Sequence, residues 1–310
     1  MQKPSNLYSF IYKTSQIAIF IGVLYYLYYA INSGKLTFDG GIVLKPINLT
    51  IAFLLVLFNY GLESYKWFLL NKEEKSMLKC ANSVFSGCSI SLLMPFKWMN
   101  FLGWAYNSEP NEWRKLMWST FPAAFAQNII TLIFTVVFLP YLFLPQTTMS
   151  LIGWYYLFSI FIIIFSIVFY FKFFKEPFNI QLFSSQLSLK SLGFKKFVLS
   201  KVLFTSFLRY VIFIFQYTFL FRTFDASIDI STIVIGSALT MGLTSFFPIS
   251  FLGKLGIRET IAMSVFSVFS GVIELQVIAV TITIWIFNVL IPAAIGGVLI
   301  VSQKRQIHAN

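Results

Sequence analysis

One short stretch places a cation and an anion side by side, directly after a break in an apolar run. Pro248, Gly253 and Gly256 interrupt the run, and Arg258 and Glu259 follow at once. Proline and glycine free backbone polar groups, which in a membrane must be buried in protein or face a wet cavity. An acidic side chain is favourable in a first helical turn. The stretch therefore predicts either a substrate or gating element, or an interfacial loop whose basic residues only obey the positive-inside rule.

Further polar side chains lie inside long apolar runs. Glu63 and Lys66 are three residues apart, which predicts a local ion pair on one helix face. Arg209 is either a functional group or a side chain that extends to the cytoplasmic interface. For Gln127 and Asn128, hydrogen bonding between helices without a substrate is the favoured interpretation.

The residue inventory excludes several kinds of catalysis. The only histidine is His308, close to the end of the sequence. A histidine zinc site, a Ser-His-Asp triad and a histidine general base are therefore excluded within this sequence. Cys80 and Cys88 both lie in an apolar run and imply neither a disulfide framework nor a metal cluster. No apolar run contains the histidine or aspartate pair of an intramembrane protease or transferase, so we expect no catalytic residue, metal or cofactor, and no enzyme activity.

The elements that position these residues are membrane helices. Of the 310 residues, 58% are hydrophobic and only 11% are charged. A soluble domain carries roughly 25% charged residues, so most of this chain must face lipid or other apolar helices. The net charge of +12 is spread between apolar runs, which favours control of topology over binding of nucleic acid. We expect a polytopic α-helical protein of a bacterial inner membrane.

The apolar runs predict an all-α fold of about eight hydrophobic segments. They occupy residues 16–31, 47–70, 78–94, 116–139, 151–171, 202–221, 230–247 with 257–272, and 275–301. We expect a single membrane domain over residues 1–310, with halves at 1–171 and 202–301 joined by a basic linker at 172–201.

The basic residues predict the topology of these runs. The lysine-rich linker at 172–201 and the terminal Lys304 and Arg305 should be cytoplasmic, and the uncharged loop at 140–150 should be outside. Both termini are then cytoplasmic. This topology predicts two hairpins in inverted arrangement, one broken at Pro95 and one at 248–256, which is the best pointer in a sequence to a transport site. Whether the second hairpin is re-entrant or crosses fully stays open.

The stretch around Arg258 resembles the transmembrane region of lysylphosphatidylglycerol synthases and the wider family of flippase-like membrane proteins built from it. That family has a Pro-x-Ser…Gly-x-x-Arg-Glu element, matched here by Pro248, Ser250, Gly253 or Gly256, Arg258 and Glu259. Residues 209–217 and 126–132 resemble two of its helices. An earlier element of the family, with arginine and glutamate after a proline, corresponds here to Pro95, Lys97 and Asn100.

The resemblance implies a protein that handles lipids, or lipid-linked molecules, with anionic head groups. We expect it to bind an anionic lipid or a lipid-linked glycan, and whether it also translocates this substrate stays open. Arg258, Lys97 and Arg209 would neutralise the phosphate, Glu259 would orient Arg258, and Ser250 and Glu63 complete the predicted binding set. Aminoacylation belongs to a separate soluble domain, so we expect a stand-alone membrane region. The alternative is a non-transporting partner that scaffolds a membrane enzyme of lipid or glycan synthesis.

The sequence also predicts where Glu259 points. Adjacent side chains on a helix diverge by about 100°. Glu259 is therefore predicted to reach Lys97 or Arg209, while Arg258 faces a polar cavity and stays available for an anion.

Overall fold

The computed structural model describes residues 45–71, 76–93, 113–142, 149–175, 179–182, 185–188, 193–224, 228–247, 256–269 and 272–309. The predicted first span at 16–31 lies outside these ranges. So do five predicted site or break residues: Pro95, Lys97, Pro248, Ser250 and Gly253.

Four helices make up the first half of the described chain. Helix α1 is Pro46–Leu70, α2 is Met77–Leu93, α3 is Trp113–Phe138, and α4 is Met149–Lys175. A short 3₁₀ turn, Leu139–Leu142, extends α3. The apolar runs predicted each of these helices to within a few residues, because a continuous apolar segment in lipid must satisfy its backbone hydrogen bonds internally.

The second half contains one long helix, two short ones and a final interrupted helix. Helix α5 is Lys196–Thr223, α6 is Ile230–Ser245 and α7 is Ile257–Phe266. Helix α8, Glu274–Trp285, continues through a π-helical segment, Ile286–Leu290, into α9, Ile291–Ala309. The run at 257–272 was predicted as one segment, but the helix there ends at Phe266.

The predicted linker at 172–201 is shorter than expected. Helix α4 continues to Lys175 and α5 already begins at Lys196. Between them, strands β1 (Asn179–Leu182) and β2 (Ser185–Ser188) form a small antiparallel hairpin, which the sequence pattern did not predict. Outside this hairpin the described chain is helical, as the all-α prediction required.

Five helices in the described part of the chain are long and apolar enough to cross a membrane. They are α1, α3 with its 3₁₀ turn, α4, α5, and the α8–α9 helix. Helix α4 shows the lipid-facing character most clearly, since Trp154, Phe158, Phe161 and Phe165 are each more than 60% exposed. Such a large apolar surface is not compatible with water. The chain is an integral membrane protein.

Helices α1 and α5 pack antiparallel along most of their length. The backbone N–H of Lys45 donates to Thr223 O over 3.0 Å. Seven residues later on α1 and seven earlier on α5, Gln216 Nε2 donates to Ala52 O over 3.1 Å, and after the same step again Arg209 Nε donates to Asn59 Oδ1 over 2.7 Å. A spacing of seven keeps each residue on the same helix face. These bonds form a regularly spaced row, the α1–α5 seam, within an interface that also contains apolar core residues.

Helices α2, α6 and α7 are shorter than the five spans. They have 17, 16 and 10 residues, or roughly 25, 24 and 15 Å, against a hydrocarbon core of about 30 Å. Helix α7 packs beside α5 and α6 through Phe266, whose ring is 5.0 Å from that of Phe221. These lengths suit the arms of the predicted hairpins, and the depth of each hairpin stays a prediction.

A buried polar network and the start of helix α7

Arg209 lies at the middle of α5 and is surrounded by acceptors from two other helices. Its Nε donates to Asn59 Oδ1 on α1, one terminal nitrogen pairs with the Glu63 carboxylate, and the same nitrogen lies 3.4 Å from Gln127 Oε1 on α3. The Arg209 side chain is 13% exposed. Helices α1, α3 and α5 therefore meet at one guanidinium group.

The Glu63 carboxylate is shared between two cations. Lys66 Nζ lies 2.7 Å from the same oxygen, Oε2, that pairs with Arg209. The Lys66 side chain is 2% exposed. An uncompensated charge inside a membrane costs several kcal/mol. The three charges therefore depend on one another, because Glu63 is the carboxylate that both cations contact.

Amide side chains extend the network along the α1–α5 seam. Asn59 Nδ2 donates to Asn288 Oδ1 over 3.3 Å, and Asn288 Nδ2 donates to Gln216 Oε1 over 3.2 Å. Asn288 lies in the π-helical segment, where Tyr60 OH donates to its backbone carbonyl over 2.6 Å. Cys88 on α2 lies 3.6 Å from that hydroxyl. The network thus joins α1, α2, α3, α5 and the last span.

Several predictions can be judged here. The predicted Glu63–Lys66 ion pair is present, and Gln127 bonds between helices as expected. Arg209 does not extend to the interface: it pairs with Glu63 inside the bundle. Glu63 and Arg209 both belonged to the predicted binding set, but the contact between them was not predicted.

The sequence analysis did not include Asn59, Gln216 or Asn288 in the site. Each is an amide inside an apolar run, and a spacing of seven residues relates Asn59 to Lys66 and Arg209 to Gln216. That spacing was a usable signal, because it marks one polar face on each of two apolar helices.

Arg258 and Glu259 form a second charged site at the start of α7. Gly256 precedes the helix with φ of 94°, a conformation that favours glycine. The Glu259 carboxylate accepts the backbone N–H of Gly256 over 2.5 Å and pairs with Arg258 over 2.6 Å between its Oε1 and the guanidinium. The acidic side chain therefore caps the helix and holds the arginine at once.

The predicted contact between Glu259 and Arg209 is wrong, whereas the alternative contact with Lys97 involves a residue outside the described ranges. The two carboxylate oxygens of Glu259 bind Gly256 and Arg258, while Arg209 pairs with Glu63. The reason is local: a glutamate at the third helical position can fold back to the exposed N–H at the helix start. This position also brings the carboxylate beside the Arg258 guanidinium, although the two residues are adjacent.

The Arg258 guanidinium is only partly satisfied. Its side chain is 14% exposed, and its buried Nε has no hydrogen-bond partner among the residues that the structure describes. A buried donor without a partner costs about 1–3 kcal/mol, and more on a charged group. Arg258 therefore retains a donor that an additional acceptor, such as a phosphate oxygen, could satisfy.

Both charged sites neighbour helix α5. Arg258 and Glu259 lie close enough to Tyr217 to interact with it electrostatically, and the preceding residue, Gln216, belongs to the Arg209 network.

Within the described residues, no group of three His, Cys, Asp or Glu side chains could hold a metal ion. The cationic and amide side chains instead suit anions and hydroxyl groups.

Comparison with known proteins agrees with this architecture. None of the curated proteins matches the chain significantly. The family model described as the lysylphosphatidylglycerol synthase TM region matches residues 15–296, which is most of the chain. That region is a flippase-like membrane module of lipid biosynthesis or translocation, and it is not the catalytic domain. The chain belongs to the lysylphosphatidylglycerol synthase TM region family.

Proposed function

We propose that this protein binds an anionic membrane lipid or lipid-linked glycan and translocates it between leaflets, without covalent chemistry. Arg258 contacts the phosphate, and Glu259 fixes its position. The chain would act in the bacterial inner membrane, as one domain with two inverted halves and with both termini in the cytoplasm.

The observation that carries this proposal is the buried Arg258 Nε, which has no hydrogen-bond partner within the described part of the chain. Glu259 uses one carboxylate oxygen for Arg258 and the other for the helix start. A phosphate would add acceptors to a guanidinium that is already positioned, and arginine binds phosphate oxygens through several N–H groups at once.

Arg209 has a different role in this proposal. It already bonds to Asn59, Glu63 and Gln127, so it supplies positive potential while its hydrogen bonds hold the helices together. In this proposal Arg258 binds the substrate and Arg209 has a structural role. Lys97 and Ser250 remain proposed substrate residues on the strength of the family resemblance alone.

Reconstitution into liposomes with a panel of labelled anionic lipids tests the proposal. We expect head-group-selective binding and scrambling by the parent protein. Arg258→Ala should abolish both while expression stays intact, and Arg258→Lys should recover only part, because lysine lacks the planar set of donors. Phe204→Ala, at a position on α5 that is 62% exposed, is a control that removes bulk from the lipid-facing surface.

The second candidate is a non-transporting scaffold for a membrane enzyme of lipid or glycan synthesis. The observation in its favour is the set of three contacts that Arg209 makes to side chains of two other helices, which suits a structural network. No selective binding or scrambling across the panel, in parent and Arg258 variants alike, would favour the scaffold and contradict transport.

A further inference from the structure

Helices α3 and α6 cross closely and then diverge to leave a cleft. At the crossing, a Cβ on Gly242 would lie 1.8 Å from Thr135 Oγ1, so only glycine allows this approach. Beyond it, towards the end of α6, the helices line a cleft of about 230 Å³. One molecule in liquid water occupies roughly 30 Å³, so the cleft has space for a small polar group.

Asn128 is the residue that makes this cleft unusual. It lies inside the α3 span, is exposed and lines the cleft. The structure gives its side chain no hydrogen bond within the described chain, whereas the neighbouring Gln127 reaches Arg209. An amide in a membrane without a partner is costly. Asn128 was predicted to hydrogen-bond to another helix, and no such hydrogen bond is present among the described residues.

The other polar groups of the cleft act mainly as acceptors. The Thr135 hydroxyl donates to Thr131 O over 2.7 Å, and the Ser245 hydroxyl donates to Gly242 O over 2.6 Å. Each hydroxyl has one proton and two lone pairs, so both oxygens retain accepting capacity towards the cleft. Among the described residues that line it, none is charged.

An uncharged, acceptor-rich cleft with one free carboxamide matches a ligand that carries hydroxyl groups. Asn128 can both donate to and accept from a hydroxyl. Phe246 is 67% exposed at the cleft and offers an apolar face to the C–H groups of a glycerol or sugar. Leu132 lines the remaining wall.

We propose that this α3–α6 cleft binds the hydroxyl groups of a lipid head group, a glycerol or a sugar, and that Asn128 is its main contact. The inference rests on the proposed function and deepens it, because it adds to the proposed phosphate contact at Arg258 a separate site for the hydroxyl groups of the head group, at Asn128.

Binding to four test lipids separates the two parts. The full-length protein in phosphatidylcholine nanodiscs is loaded with phosphatidylglycerol, phosphatidic acid, glucosyl-diacylglycerol or diacylglycerol, and relative affinities are read by native mass spectrometry. Phosphatidylglycerol and phosphatidic acid form one pair, and glucosyl-diacylglycerol and diacylglycerol form the other. In each pair the first lipid carries an additional glycerol or sugar. We expect the parent protein to prefer the first lipid of each pair by roughly tenfold, the effect of one or two hydrogen bonds.

Asn128→Leu should remove this preference and leave the affinity for phosphatidic acid unchanged. Ala124→Leu is the matched control, because Ala124 is exposed one turn earlier on the same face of α3 and does not line the cleft. It should preserve the preference.

The results that overturn the inference differ from those that overturn the proposed function. Three results would each contradict the cleft assignment. The parent protein shows no preference for the added hydroxyl groups, Asn128→Leu keeps the preference, or Asn128→Leu lowers the affinity for phosphatidic acid as much as that for phosphatidylglycerol. If neither phosphate lipid binds but glucosyl-diacylglycerol is preferred through Asn128, the cleft stands and the anionic substrate is wrong.

Discussion

Arg209 and Arg258 are both arginines inside the helical bundle, and they differ in the number of acceptors around them. Arg209 has three partners on two helices. Arg258 has the carboxylate of its neighbour, and its Nε has no partner among the described residues. More acceptors around a cation lower the cost of its burial, whereas a cation with fewer acceptors retains capacity for a ligand.

The shared carboxylate of Glu63 leads to an asymmetric prediction. Glu63→Gln deprives Arg209 and Lys66 of the carboxylate that both contact, whereas Arg209→Gln leaves the Glu63–Lys66 pair in place. We expect Glu63→Gln to destabilise the protein by about 3–5 kcal/mol, as for a broken buried ion pair, and Arg209→Gln by clearly less. Unfolding by SDS titration measures both. Equal losses of stability in the two variants would show that Lys66 does not depend on the Glu63 carboxylate.

Glu259 combines two roles that substitutions can separate. Glutamine can still accept the N–H of Gly256 but cannot form the ion pair with Arg258, whereas alanine can do neither. We expect Glu259→Gln to unfold nearly like the parent and to bind anionic lipid more weakly, because Arg258 loses its orientation.

Glu259→Ala should in addition lose about 1 kcal/mol of stability through the missing cap. Thermal unfolding and lipid binding, measured on the same samples, check the two effects. If Glu259→Gln bound lipid like the parent, the carboxylate would serve the helix start alone.

At the scale of elements, glycines set how closely the helices approach. A Cβ on Gly296 of α9 would lie 1.9 Å from the backbone carbonyl of Phe85 on α2, and backbone cannot move aside as a side chain can. At the adjacent Gly297 the nearest atom is Ser89 Oγ at 3.4 Å. Small residues that allow such close packing are typical of membrane helix interfaces.

Gly296→Ala and Gly297→Ala therefore form a matched pair. We expect Gly296→Ala to force α2 and α9 apart and to destabilise the protein by about 1–3 kcal/mol, as overpacking does. Gly297→Ala should be neutral or slightly stabilising, since alanine is the better helix former. SDS titration of both variants measures the difference, and equal stabilities would contradict the close α2–α9 contact.

The same scale explains what the sequence could predict. Continuous apolar runs predicted α1 to α6 closely, because backbone hydrogen bonds in lipid must be made within the helix. The contact between Arg209 and Glu63 joins positions 146 residues apart, and it depends on which helices pack together and in which register. Apolar composition carries no such information. Similarly, apolar composition did not predict the π-helical segment around Asn288 or its tertiary bond from the Tyr60 hydroxyl to the Asn288 carbonyl.

At the scale of the whole molecule, the antiparallel α1–α5 pair links the two halves of the chain. Its three bonds, at Lys45, Ala52 and Asn59 on α1, fall at one spacing along both helices. The basic residues independently predict that α1 ends, and α5 begins, on the cytoplasmic side. Packing and charge therefore agree on the relative direction of these spans, although they derive from different physical effects.

The absolute orientation leads to the last prediction. Lys195 and Asp229 are both exposed and flank α5, whose 28 residues extend roughly 42 Å, enough to place its ends on opposite sides of the membrane. In a background with Cys80→Ala and Cys88→Ser, a membrane-impermeant thiol reagent added to intact cells should label Asp229→Cys. Lys195→Cys should be labelled only after permeabilisation, because lysine-rich segments stay in the cytoplasm. The opposite pattern would invert the topology and leave the antiparallel packing intact. Labelling of both from one side would contradict the span itself, and with it the depth assigned to Arg209.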